Sequence, residues 1–89
     1  MGFNDLLKML IENEGSDLFL TTGAPPSMKA FGRLSTLVEK KMPEGMVKKI
    51  AYQIMNEDQI KDFEKSPEMN LAIADPDIGR SRVNIFKQR

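Results

Sequence analysis

The chain has 89 residues, room for one domain, with thirteen basic residues against thirteen acidic ones. A net charge of zero excludes binding of nucleic acid or anionic membrane by bulk charge. The absence of cysteine and histidine excludes disulfide scaffolds, thiolate zinc sites, imidazole ligation and the usual general base near neutral pH, so a self-contained enzyme is not expected.

At 40% hydrophobic and 29% charged, the composition is that of an ordinary globular domain. Phe3, Leu6, Leu7, Leu10 and Ile11 recur at helical spacing and predict an amphipathic helix over 3–13, capped by Gly2 or Asn4. Gly15 suits a left-handed residue closing that helix. Leu18 to Thr21 alternates as a strand, which Gly23-Ala24-Pro25-Pro26 stops. Met28 to Phe31 and Leu34 to Val38 predict two short strands joined by a hairpin at Gly32-Arg33. Pro43 opens a helix carried by Met46, Val47, Ile50, Ala51, Ile54 and Met55. Asn56 and Gln59 have the spacing of a capping box for a third helix, with Ile60 and Phe63 inward and Ser66-Pro67 as its stop. Met69, Leu71 and Ile73 then alternate as a strand, and Asp75 to Gly79 reads as a turn. The last strand places Arg80, Arg82, Asn84 and Phe86 on one side and Ser81, Val83 and Ile85 on the other.

The order α-β-β-β-α-α-β-β predicts an α+β domain, an antiparallel sheet with helices on one face. No apolar run approaches a membrane span, and no signal peptide is visible. The final strand runs into Lys87-Gln88-Arg89 without a turn or cap, the pattern expected of a chain cut inside a larger protein. The seven methionines read as flexible core filler or, alternatively, as an adaptable contact surface.

Little in the sequence offers chemistry. The stretch from Gly23 to Lys29 superficially resembles a phosphate loop, but its two prolines lack N–H donors and no Gly-Lys-Thr follows. Glu12/Glu14, Glu57/Asp58 and Asp75/Asp77 could be called carboxylate pairs, but Glu57/Asp58 read as acids favoured in a helix first turn and Asp75/Asp77 as caps of backbone N–H groups in a turn, and a metal site would need more ligands. The informative stretch is Gly79-Arg80-Ser81-Arg82-Val83-Asn84. Period 2 sets the two arginines about 7 Å apart on one side of a strand. Two guanidinium forks so placed suit phosphate oxygens, although a merely solvated sheet face has the same pattern.

Several segments together resemble one family. They are Gly15 to Thr21, Gly23 to Lys29, Gly32-Arg33-Leu34, Ile54 to Gln59, Glu68 to Ala72 and Gly79 to Arg89. In that order and spacing they resemble the N-terminal domain of the PilT/PilU type IV pilus retraction ATPases. Phe19 and the Glu-Met-Asn-Leu-Ala run are more similar to the PilU branch.

The resemblance implies a PAS-like domain at 1–89, ahead of a RecA-like ATPase domain of the secretion-ATPase superfamily. It implies a cytoplasmic homo-hexamer that serves twitching motility and meets the pilus inner-membrane machinery indirectly. ATP and magnesium would be cofactors of the parent protein, with catalytic motifs in the second domain and no catalytic residue or cofactor in this chain. The expected partners are the ATPase domains of the same and neighbouring subunits, not nucleic acid. The resemblance also implies that Arg80 and Arg82 approach the nucleotide phosphates. Ser81 stands where the family usually carries an aromatic, which predicts altered packing behind the arginines. A further family strand is expected just after Arg89. The alternative function is a free-standing PAS-like module binding a ligand or partner; a nucleic-acid adaptor using the basic terminus would need salt-dependent binding.

Overall fold

A computed structural model describes residues 2–66 and 68–86 of the chain. Its elements are α1 (Phe3–Glu12), β1 (Asp17–Thr21), β2 (Ser27–Ala30), β3 (Arg33–Thr36), α2 (Glu44–Ile54), α3 (Glu57–Lys65), β4 (Glu68–Asp75) and β5 (Gly79–Phe86). The element order is the one the periodicities predict.

Helix α1 forms because Phe3, Leu6, Leu7 and Leu10 fall on one face and are all buried. Gly2 is its N-cap, and the Gly2 N–H donates to Asp5 Oδ2 at 3.1 Å. The ending differs from expectation. Glu14, not Gly15, takes the left-handed conformation, at φ 57°. Gly15 is needed for space instead: an added Cβ would collide with the Leu10 side chain and lie 3.2 Å from the Leu10 carbonyl oxygen. The Gly15 N–H donates to that same carbonyl at 2.8 Å, which draws the two backbones together.

The five strands form one sheet in the order β3-β2-β1-β5-β4. Three pairings are antiparallel, but β1 and β5 at the centre run parallel, so the sheet is mixed and not wholly antiparallel. Hairpin turns dictate the antiparallel pairs. No hairpin joins β1 to β5, so turn chemistry does not set their direction, and the intervening helices carry the chain back to a parallel register. That register pairs Leu18 with Val83 and Leu20 with Ile85 on one face, and Asp17 with Arg82 and Phe19 with Asn84 on the other.

The β2–β3 hairpin turns one residue earlier than predicted. Ala30 pairs with Arg33, leaving Phe31 and Gly32 as the two-residue loop, at φ 54° and 77°. Two consecutive positive φ values give the turn that matches strand twist. Phe31 is an uncommon choice there, because its Cβ crowds the backbone, and its side chain stays 79% exposed.

Pro43 is the N-cap of α2, one position before its predicted place inside the first turn. The capping box of α3 is present in full: Asn56 Oδ1 accepts from the Gln59 N–H at 2.8 Å, and Gln59 Oε1 accepts from the Asn56 N–H at 2.9 Å. Ser66 closes α3; its predicted companion Pro67 lies outside the described residues. So do Lys87-Gln88-Arg89 and the expectations attached to them. Leu6, Leu7 and Leu10 of α1, Val47 and Ile50 of α2, and Phe63 of α3 share one buried cluster with Leu18, Leu20, Val83 and Ile85 of the central strands. Each fully buried large side chain contributes roughly 1.5–3 kcal/mol. The helices therefore cover one sheet face, and the other carries Arg80 and Arg82 toward solvent, with Asn84 half-buried beside them.

Candidate functional site

Alternation along β5 decides which side chains reach solvent. Ser81, Val83 and Ile85 are buried on the helix side, whereas Arg80 and Arg82 are exposed on the open side. Gly79 starts the strand at φ 138°, and a Cβ there would press on Ile11 of α1 at 3.2 Å. This close approach of α1 holds the entry to β5. The preceding turn is fixed by Asp75, whose Oδ1 accepts from the Asp77 N–H at 2.8 Å and the Ile78 N–H at 2.9 Å. That is the capping role expected of Asp75 in a turn.

Both predicted arginines lie on the same face, but their surroundings differ. Arg82 sits between Ala72 of β4 and Asp17 of β1. Its Nη2 donates to Asp17 Oδ1 at 3.2 Å, the one ion pair among the described residues. The Asp17 side chain is 10% exposed and that of Arg82 is 70% exposed, so a sheltered carboxylate holds a largely solvated guanidinium. Arg80 lies opposite Ala74, and its side chain makes no hydrogen bond or ion pair within the described residues. Its five N–H donors are open to solvent or to an incoming anion. The small Ala72 and Ala74 side chains leave a shallow depression of about 420 Å³ beside the two arginines. Asn84 turns inward instead, its Nδ2 donating to the Leu18 carbonyl at 3.4 Å.

Ser81, between the arginines, is buried on the helix side, and its Oγ has no hydrogen-bond partner. A buried hydroxyl without a partner costs about 1–3 kcal/mol. The expected disturbance at this position is therefore an unsatisfied polar atom directly behind the strand that presents the arginines.

Asp17 is the site residue that sequence reasoning missed. It directly precedes the predicted strand Leu18 to Thr21, and nothing local in the sequence announces that β1 lies parallel beside β5. No other candidate carboxylate forms an ion pair with either arginine among the described residues. Glu57 and Asp58 occupy the first turn of α3, where the helix dipole favours acid. No group of three or more acidic residues among those described could hold a metal ion, and no described helix is long and apolar enough to cross a membrane.

Comparison with known proteins places the chain as a whole. No family model matches the chain. The type IV pilus ATPase PilU of Pseudomonas aeruginosa is 42% identical over 89 residues, 100% of this chain and 23% of PilU. The type IV pilus retraction ATPase PilT of the same organism is 33% identical over 88 residues, 99% of this chain and 26% of PilT. A crystal structure of the pilus retraction motor PilT with bound ADP superposes with a TM-score of 0.79 at 31% identity, covering 100% of this chain and 26% of that one. The chain thus spans about a quarter of the length of these relatives. Over its whole length the chain is homologous to the N-terminal domain of the PilT/PilU type IV pilus ATPases.

Proposed function

We propose that the chain is the non-catalytic N-terminal domain of a pilus retraction ATPase, and that it supplies positive charge to the nucleotide held by a RecA-like domain. The observation that carries this reading is Arg80: an unpaired guanidinium on a rigid strand, on the one sheet face that helices leave open. Cytoplasmic ATP with magnesium would be bound by the parent's second domain, and this chain has no phosphate loop of its own. Its contribution is electrostatic. A fixed guanidinium near the terminal phosphate stabilises charge that develops as the phosphoryl group leaves.

Two further roles follow from the same placement. The domain lies between ATPase domains of its own and neighbouring subunits of a hexameric ring and helps that ring assemble. It also moves as a rigid body when nucleotide binds or leaves, which couples hydrolysis to pilus retraction and twitching. The larger resemblance to PilU than to PilT supports the PilU branch. The test is ATP turnover of the parent protein carrying Arg80→Ala or Arg82→Ala. A fall of about tenfold or more, with the ring and the fold intact, is expected for a charge-assisted phosphate contact. Unchanged turnover in both variants would remove the nucleotide role.

A further inference from the structure

A second concavity lies away from the arginine face and is independent of the motor reading. It is a groove of about 360 Å³, open to solvent on one side, bounded by α1, the turn at Pro26, the connection from β3 to α2, and the first turn of α2. Leu6 and Met42 form its floor, 1% and 2% exposed. Pro26, Val38 and Met46 stand around it. Among the described residues, Lys40 and Lys41 are the only charged ones lining it; both are exposed and neither forms an ion pair with another described residue.

The volume suits one small molecule, and the lining suits a hydrocarbon body with a negative head. Methionines at two positions allow the walls to adapt to an irregular chain. An extended peptide fits less well, because the backbone around the groove is already engaged. The Met42 N–H donates to the Ala24 carbonyl at 3.0 Å, and the Met42 carbonyl accepts from the Gly23 N–H at 2.8 Å. The Leu37 N–H donates to the Pro26 carbonyl at 2.8 Å. A peptide would bring polar backbone groups that find few partners here, whereas a hydrocarbon brings none. A flat anionic bilayer is also disfavoured, since Glu39 adjoins the lysines and the chain has no net charge.

We propose that this groove binds a single small anionic amphiphile, with its apolar body on Leu6, Met42 and Met46 and its head between Lys40 and Lys41. The test uses the chain carrying ¹³C-labelled methionine methyl groups, titrated separately with decanoate, decyltrimethylammonium and phosphatidylglycerol vesicles. Decanoate should move the Met42 and Met46 methyl signals saturably and leave Met69, on the edge strand β4, in place. Decyltrimethylammonium should bind about tenfold more weakly, the size that two exposed ammonium contacts supply. The double variant K40E/K41E should reverse that preference. Both lysines are exposed, so the variant should keep its far-UV circular dichroism; should it fail to fold, the head-group comparison on the unaltered chain decides alone. Absence of a saturable decanoate shift, equal binding of both head groups, or a response only to vesicles would overturn the proposal.

Discussion

Arg82 and Arg80 lie on the same face, yet substituting them should have opposite signatures. Arg82→Ala removes the partner of a carboxylate that is only 10% exposed. A fully exposed pair contributes about 0.2–1 kcal/mol, and breaking a fully buried one costs about 3–5 kcal/mol. Here one partner is sheltered, but Arg82 itself is 70% exposed, which screens the pair strongly. The expected loss is therefore about 1 kcal/mol, a fall in melting temperature of roughly 4–8 °C for a domain of this size. Arg80→Ala breaks no side-chain hydrogen bond or ion pair within the described residues and should change stability by less than about 0.5 kcal/mol. Thermal unfolding followed by circular dichroism, on Arg82→Ala, Asp17→Asn and the double variant, measures the coupling directly. ATP turnover of the parent should show the reverse order, with the larger loss from Arg80→Ala. Asp17→Asn frees Arg82 and should partly restore turnover to a parent carrying Arg80→Ala. A coupling of zero between Asp17 and Arg82, or an Arg80→Ala chain as unstable as Arg82→Ala, would refute this division of roles.

Three other outcomes test the fold itself. Gly15→Ala should destabilise the chain by about 1–3 kcal/mol through overpacking on Leu10, read as an earlier urea midpoint. Phe31→Asn should raise the melting temperature by roughly 4–8 °C, because Asn tolerates the positive φ of this turn about 1 kcal/mol better than Phe. Tyr52 is the single tyrosine, so ultraviolet titration reads it alone. Its hydroxyl donates to Glu64 Oε2 at 2.8 Å, and that hydrogen bond, with slight burial and the Glu64 charge, raises its pKa above the ordinary value of 10.0. The raised pKa favours the neutral hydroxyl in the folded chain. The link's contribution to stability is thus present below pH 10 and lost as pH rises through the folded pKa. Glu64→Ala should bring the midpoint back toward 10.

The helices and their faces were legible because burial follows local periodicity. Phe3, Leu6, Leu7 and Leu10 announce α1, and the Asn56/Gln59 spacing announces the start of α3. The alternation of β5 likewise put both arginines on the solvent side. Sequence reasoning failed where the answer depended on distant partners or on space. The parallel β1–β5 pairing rests on tertiary packing, so Asp17 stayed hidden as the partner of Arg82. The hairpin slipped by one residue because Phe31, a poor residue for positive φ, occupies a loop position. At Gly15 the pattern suggests a backbone reason for glycine, whereas the packed Leu10 side chain supplies a steric one.

The most direct test of the central claim is the reading frame beyond codon 89 in the gene encoding this chain. A frame that continues into a phosphate-binding loop and a RecA-like pattern is predicted, and would supply the nucleotide that Arg80 is proposed to meet. A stop codon directly after Arg89 would contradict the account, leaving Arg80 as a solvated surface residue and the domain as a free-standing binding module.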